Sequence, residues 1–172
     1  MAKAKAAIGY NVGILLPTNK AVVDFVQHVI KMEGGQPWVT KVDKWGKIDF
    51  LQLNRHLSKE DIPMKCLGTE TYHSEMHKNI SVINYYNSMV YEFDIVFLPF
   101  LNSNLFIHSN EIIARNLFVY SILSSKNSLY LSYSGNKHKF LDKIEMFCNK
   151  IDIRGFVNNI SQWDDSKKIF QL

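Results

Sequence analysis

Short apolar runs alternate with helix-like spacing along the chain, and this alternation constrains the fold more than any other feature. The run Ile8–Leu16 predicts a buried strand, and after Pro17-Thr18-Asn19 the apolar residues recur at helical spacing. The same order returns where Asp94–Phe100, a second predicted strand, precedes an apolar helix over Ile112–Leu123. Repeated strand–helix order favours a mostly parallel sheet with helices on both faces.

The chain length suits one domain with a sizeable core, since 172 residues are present. We therefore predict a single α/β domain over residues 1–172, with a mostly parallel sheet flanked by helices in a Rossmann- or flavodoxin-like arrangement. Two apolar segments around a Trp-Gly turn predict an antiparallel hairpin at 38–53. A polar stretch follows, so a domain boundary near 54–66 stays open, as does whether residues 1–66 share the main sheet.

Other elements are predicted with the same reasoning. A helix is expected over Asn79–Tyr91, and strands are expected at Leu129–Tyr133 and Ile153–Val157. The helix over Ile112–Leu123 is apolar nearly all round, which predicts burial on two sides. Another helix is expected to follow Ser134-Gly135-Asn136 and to present one apolar face, formed by Phe140, Ile144, Phe147 and Cys148.

Several classes of protein are disfavoured by the composition. The longest apolar stretch, Ile95–Leu101, is far shorter than the roughly 18 residues of a membrane span. Cys66 and Cys148 indicate neither a disulfide framework nor a metal spacing, so we expect a reducing, intracellular compartment, either the cytoplasm or a mitochondrion. His73 and His77 stand four apart, but no third ligand is indicated, so no metal site is expected.

One acidic pair suggests an enzyme. Glu111 follows a predicted strand and loop near a helix start, where open parallel sheets place ligands. With Asp94 it resembles the order of residues in small α/β nucleoside deoxyribosyltransferases and related glycosidases, whose helix-starting Glu is the nucleophile. The Gly-rich first loop of those enzymes is replaced here by Leu16-Pro17-Thr18. The turn at Ser134–Lys137 is a candidate anion-binding site, because a strand-to-helix turn presents backbone N–H groups to an anion.

A larger part of the chain, residues 67–163, resembles the bacterial and organellar form of the small-subunit ribosomal protein "two" family. Five segments carry the resemblance in order, namely Leu67–His73, Asn84–Asn87, Phe106–Leu117, Leu129–Lys139 and Phe156–Asn159. The chain departs from that family after Asn159, where Trp163 lacks its basic and paired-glycine context.

This resemblance implies a non-enzymatic component of a ribonucleoprotein, above all a mitochondrial-type ribosome in which the protein contacts ribosomal RNA and neighbouring proteins. Basic residues outnumber acidic ones in residues 1–60 and 121–172, which is compatible with a phosphate partner. The lysines expected to meet phosphates are Lys3, Lys5, Lys137, Lys139, Lys143 and Lys150. No cofactor is expected. A protein-interaction subunit of another complex is the third function that stays open.

Overall fold

The computed structural model of the protein describes residues 1–43, 46–68, 80–152 and 167–171. Its helices are α1 (Ala2–Ala7), α2 (Asn19–Met32), α3 (Phe50–Lys59), α4 (Tyr85–Ser88) and α5 (Glu111–Leu123). Its strands are β1 (Val12–Leu16), β2 (Met64–Leu67), β3 (Ile80–Asn84), β4 (Phe93–Leu98), β5 (Ser125–Ser134), β6 (Asn149–Asp152) and β7 (Lys167–Gln171).

All of these strands form one sheet, in the order β2-β3-β1-β4-β5-β7-β6. The first five are parallel, whereas β7 runs antiparallel to both β5 and β6. The predicted α/β fold with a mostly parallel sheet is therefore confirmed. Because β1 and β2 both belong to this sheet, the segment before residue 67 shares it with the rest of the chain.

Two apolar cores cover the opposite faces of the sheet. Along β1 the side chains alternate, so Ile14 and Leu16 pack under α2 and α3, while Leu15 packs on the α4 and α5 side. Both faces of the central strands are buried, which explains their nearly continuous apolar sequences.

The predicted helix over Asn79–Tyr91 is wrong. Residues Ile80–Asn84 form β3, a fully buried strand between β1 and β2, and only the single turn of α4 is helical. The β-branched Ile80, Val82 and Ile83 pack well in a strand that is covered on both faces. Asn84 then caps α4 by accepting a hydrogen bond from the backbone N–H of Asn87 at 2.7 Å.

The predicted hairpin at 38–53 is reduced to one antiparallel bridge between Val42 and Ile48. Its second strand is absent because α3 begins at Phe50, where the Asp49 carboxylate accepts a hydrogen bond from the backbone N–H of Gln52 at 2.9 Å. The first part of the polar stretch that follows belongs to α3, whose buried face is formed by Phe50, Leu53 and Leu57.

The predictions for the two later helices also need correction. α5 is buried on one side only, since Ile112 and Leu123 are 63% and 69% exposed. In place of a helix over residues 140–148, the chain forms two short 3-10 turns, Leu141–Lys143 and Glu145–Phe147. The strand predicted at Ile153–Val157 lies outside the described residues.

The edge strand β2 is closed by a side chain from α3. The Asn54 amide Nδ2 donates to the backbone carbonyl of Cys66 at 2.9 Å, and the Cys66 backbone N–H donates to Asn54 Oδ1 at 2.7 Å. These two bonds satisfy outward-facing backbone groups that an edge strand would otherwise leave open to another chain. The amide therefore substitutes for a neighbouring strand.

We expect Asn54→Ala to lower the free energy of unfolding by about 1–3 kcal/mol, because two hydrogen bonds to the β2 backbone are lost. Asn54→Asp should cost at least as much, since a carboxylate cannot donate to the Cys66 carbonyl. Urea unfolding measures both. The exposed neighbour Arg55, replaced by Ala, is the control and should change stability by less than about 0.5 kcal/mol. Equal stability of all three variants would contradict the role given to Asn54.

Candidate functional site

The two central strands β1 and β4 lie side by side, and the chain leaves their carboxyl ends in opposite directions. After β1 it enters α2 on one face, and after β4 it enters α5 on the other face. In open parallel sheets such a divergence opens a crevice at the carboxyl ends of the strands, where ligands bind. Pro17 and Phe100 follow the two strands and lie at this edge.

A cleft of about 300 Å³ occupies this crevice. Its lining combines residues from the end of β1, from one side of α2 and from the loop after β4, namely Leu16, Pro17, Ala21, Asp24, Phe25, His28, Phe100 and Leu105. The volume lies at the lower end of the range for small-molecule sites, and a mostly apolar wall with a few polar groups is their usual lining.

Phe100 has an unusual backbone in this cleft. Its φ is +62°, in the left-handed region that side chains other than glycine rarely adopt. Phe100 is 47% exposed, and the Phe25 ring contacts its ring edge-on with 6.5 Å between the centroids. Strain of this kind costs on the order of 1–3 kcal/mol and is concentrated at functional sites.

Hydrogen bonds on the carboxyl side of Phe100 hold this backbone in place. The backbone N–H of Leu101 donates to the Ser132 carbonyl of β5, and the His138 N–H donates to the Leu101 carbonyl, each at 2.8 Å. Asn102 adds a third tie, because its side-chain Oδ1 accepts from the Ser134 N–H at 2.7 Å. Leu101 itself is fully buried, so the loop cannot relax without disturbing the core.

The polar groups of the cleft come from α2. Ala21, Asp24, Phe25 and His28 recur at the spacing of one helical face. Asp24 is 61% exposed and pairs with Lys20, whose Nζ lies 2.6 Å from Asp24 Oδ2. The start of α2 is fixed by Thr18, whose hydroxyl accepts a hydrogen bond from the Ala21 N–H at 3.1 Å, and by Asn19, whose Oδ1 accepts from Asn84 Nδ2.

The acidic pair considered for an enzyme is not brought together. Glu111 starts α5 at the carboxyl edge of the sheet, whereas Asp94 lies near the opposite end of β4 and accepts a hydrogen bond from the Asn11 N–H at 2.8 Å. Glu111 is 70% exposed and pairs with Lys139 at 2.7 Å, and this hydrogen-bonded ion pair lowers the pKa of the carboxyl. An exposed carboxylate that is paired with a lysine at a helix start stabilises the helix through its dipole, and this role fits Glu111 better than that of a nucleophile.

The six lysines considered for phosphate binding lie in two separate groups. Lys3 pairs with Glu33 at 2.5 Å, and the Lys5 ammonium lies 5.9 Å from the centre of the Tyr10 ring. In the second group Glu145 is largely covered and pairs with both Lys137 and Lys150. Its hydrogen bond with Lys137, and a further one from Lys137 to Asp142, raise the pKa of that lysine.

Most of these lysines therefore form ion pairs with acidic residues of the protein itself. The remaining two lysines are Lys139, which pairs with Glu111, and Lys143, which is exposed on the first 3-10 turn. Phosphate binding by the six lysines stays a prediction.

The anion turn predicted at Ser134–Lys137 does not precede a helix. Gly135 adopts a φ of +65°, and the chain continues through an isolated bridge between Lys137 and Asn102. This turn therefore supports the loop that carries Phe100.

Cys66 and Cys148 do not line this cleft. His73 and His77 lie outside the described residues, and the part of the chain that is described holds no cluster of three metal-ligating side chains. Cys66 and Cys148 are free, and burial raises the pKa of both thiols. None of the described helices has the length and apolarity that a bilayer crossing requires.

Comparison with known proteins identifies the family. A family model described as poxvirus serine/threonine protein kinase matches residues 1–97, which is more than half of the chain. The chain belongs to the poxvirus serine/threonine protein kinase family. In this poxvirus kinase family member the match spans α1 to β4, so it includes the α2 side of the cleft but ends before Phe100. No curated protein matches the chain.

A solved structure is also similar to this poxvirus kinase family member. It is the C-terminal domain of a possible DNA helicase from Lactobacillus plantarum WCFS1, with 17% sequence identity and a TM-score of 0.32. The match covers 75% of this chain and 76% of that chain. At this TM-score the likeness carries no argument about fold or function.

The family match overturns the ribosomal interpretation. The resemblance over residues 67–163 is wrong, and with it the expected roles in a ribosome and in mitochondrial translation. It rested on a βαβ pattern that many α/β proteins share. Neither other function drawn from the sequence, a reaction at Glu111 or a protein-interaction subunit, is named by the family description.

Proposed function

We propose that this poxvirus kinase family member binds a purine nucleotide in the cleft at the carboxyl ends of β1 and β4. The position supports this, because doubly wound sheets bind nucleotides where neighbouring connections diverge. The chemistry supports it too, since an apolar cleft of about 300 Å³ with an exposed aromatic ring suits a flat base. The family supports it as well, because protein kinases use nucleoside triphosphates.

The strained backbone of Phe100 is the observation that carries the proposal. Glycine would relieve the strain at this position, yet a large aromatic ring stands there, exposed and lining the cleft. A ring that is held at such a cost, by hydrogen bonds to β5 and to the residues that follow it, suits a surface on which a ligand stacks.

Phosphoryl transfer to serine or threonine is a second candidate, favoured by the family match. The residue patterns that carry this reaction in protein kinases are a G-x-G-x-x-G loop, a His-Arg-Asp catalytic loop and an Asp-Phe-Gly metal site. None of the three occurs in the 172-residue sequence. We therefore propose nucleotide binding, rather than the transfer step, as the activity of these residues.

The stacking role of Phe100 predicts a binding defect without a folding defect. We expect Phe100→Ala to weaken binding of a fluorescent nucleotide, with a methylanthraniloyl group on the ribose, about tenfold or more, since each stacked base contributes on the order of 1–3 kcal/mol. Phe106→Ala is the matched control, because this more exposed ring does not line the cleft. Its affinity should stay within about twofold of the original.

Fluorescence titration gives the affinities, and thermal melting of the same samples reports folding. If Phe100→Ala bound the nucleotide with wild-type affinity, the Phe100 ring would not contribute to binding. Absence of binding by the unmodified chain to adenine and guanine nucleotides at millimolar concentration would overturn the proposed function itself.

A further inference from the structure

The α5 helix has a second apolar face, on the side away from the sheet. Its buried residues are Ala114, Leu117, Phe118 and Ser121. Positions i, i+1, i+4, i+7, i+8 and i+11, counted from residue 112, share the other side of the helix. Those positions hold Ile112, Ile113, Asn116, Val119, Tyr120 and Leu123, and the five apolar residues among them are 44–69% exposed. One chain therefore leaves an apolar side of this helix in contact with solvent.

The turn after α4 extends this surface at the carboxyl end of α5. The hydroxyl of Ser124, which directly follows α5, donates a hydrogen bond to the Ser88 carbonyl at the end of α4, at 3.4 Å. Met89 and Val90 come next in the chain and are 41% and 73% exposed. We call the six α5 positions, together with Met89 and Val90, the α5 face.

The size and composition of the α5 face fit a protein interface. Its seven apolar side chains each expose on the order of 100 Å², which gives on the order of 700 Å² per copy. A stable interface of standard size buries about 800 Å² on each partner, and soluble monomers rarely expose more than about 600 Å² of apolar surface in one patch. Charged residues are absent from these eight positions, as is typical of the centre of an interface.

The spacing of the central row indicates which partner fits. Ile112, Asn116, Val119 and Leu123 form this row, and their separations of four, three and four residues are the same in both directions. When two α5 helices lie antiparallel across a twofold axis, Ile112 is opposite the partner's Leu123, and Asn116 is opposite the partner's Val119. The apolar ends then meet each other, and Asn116 lies close to the axis. A surface that is complementary to itself is the requirement for a symmetric dimer.

We infer that a second copy of this chain covers the α5 face, with the two α5 helices antiparallel about a twofold axis level with Leu117 and Phe118. Met89 and Val90 of each copy then lie toward the start of the partner's α5, where Ile112 is exposed. The inference is independent of nucleotide binding, because α5 contributes no residue to the lining of the cleft.

Sedimentation velocity of the full chain, at micromolar to submillimolar concentrations, tests the inference. We expect one reversible step from a single chain to two chains. Val119→Glu places two carboxylates near the twofold axis, so it should raise the dimer dissociation constant about a hundredfold or more, because like charges brought together at an interface are strongly unfavourable. Val39→Glu is the matched control, the same substitution at a valine that is 77% exposed and lies outside the α5 face. It should change the constant by less than about twofold.

An exchange of charges tests the antiparallel arrangement. Asn116→Lys alone should also weaken the dimer, because it places two ammonium groups near the axis. Asn116→Lys combined with Val119→Glu in one chain puts each lysine opposite the partner's glutamate, so the double variant should recover most of the lost affinity. In a parallel pair the two lysines would meet each other, as would the two glutamates, and the double variant would stay as weak as the single ones.

The outcomes are distinct. A dimer that both single variants weaken and the double variant restores supports the inference. A chain that stays monomeric at submillimolar concentration overturns it, and so does a dimer that is insensitive to Val119→Glu. A double variant no stronger than the single variants overturns the antiparallel arrangement. Thermal melting at concentrations where every variant is monomeric separates loss of the dimer from loss of folding. Asn116→Lys exchanges one exposed polar residue for another and gives the answer if Val119→Glu does not fold.

Discussion

Replacing Gly13 with valine is expected to lower the free energy of unfolding by more than about 3 kcal/mol, a large part of the stability of an ordinary domain. Gly13 lies in the central strand β1, and a Cβ built there would stand 2.6 Å from the Phe93 ring and 2.9 Å from Leu15 Cδ1. Phe93 is fully buried, so its ring cannot move aside into solvent. Gly13→Ala adds one methyl group and should cost about 1–3 kcal/mol.

Urea unfolding of single and double variants checks this steric cause. In a Phe93→Ala background the added methyl group at residue 13 should cost clearly less, since the Cγ and Cδ2 atoms that it meets are gone. Gly34→Ala is a useful control, because Gly34 has open space around it and a φ of +76°. Its cost, about 1 kcal/mol from backbone strain, should be the same in the Phe93→Ala background. Full stability of Gly13→Ala would show that β1 and β4 pack less tightly than described.

Tyr85→Ala is the second change with a large expected effect, a loss of about 3–5 kcal/mol of stability. Tyr85 is fully buried at the start of α4, within the core on the α5 side of the sheet. Its hydroxyl, however, has no hydrogen-bond partner among the described residues. An unpartnered hydroxyl in a core costs free energy, so Tyr85→Phe should leave the protein equally stable or up to about 1 kcal/mol more stable.

The same residue predicts a dependence on alkaline pH. Burial raises the pKa of Tyr85 above its ordinary value of 10.0, so at high pH the unfolded chain loses this proton while the folded chain keeps it. Stability from this group is therefore complete below about pH 10 and declines as the pH rises above it. Tyr85→Phe should make the decline between about pH 10 and 11 shallower, and unfolding curves at these pH values measure it. If Tyr85→Phe were less stable than the unmodified protein, the Tyr85 hydroxyl would have a hydrogen-bond partner.

The hydrophobic pattern of the sequence predicted those elements in which either the strand period or the helix period clearly dominates. The predicted strands Ile8–Leu16 and Asp94–Phe100 overlap β1 and β4, and the helical spacing after Asn19 became α2. It failed at β3, where Ser81 and Asn84 interrupt the apolar run although the whole strand is buried. It failed at α3 as well, because the apolar positions of that helix fit its period only if the predicted strand over 48–53 is given up.

The cleft could not be predicted because it depends on strand order. Its α2 side, Ala21, Asp24, Phe25 and His28, recurs at helical spacing, but a stripe of mixed polar and apolar residues is common on the exposed side of a surface helix. Nothing local indicates that β4 lies beside β1 or that Phe100 adopts a positive φ. Glu111 attracted attention through its position before a helix, yet a charge at a helix start is a common stabilising feature.

The amide of Asn54 also bears on how copies of this protein meet in solution. A sheet that ends in open backbone groups grows readily into its neighbours, and strand addition of that kind leads to aggregation. At β2 the outward groups of Cys66 are already bonded by Asn54, so an incoming strand would first have to displace them. The β2 edge of the sheet is thereby protected against the addition of a strand from another copy.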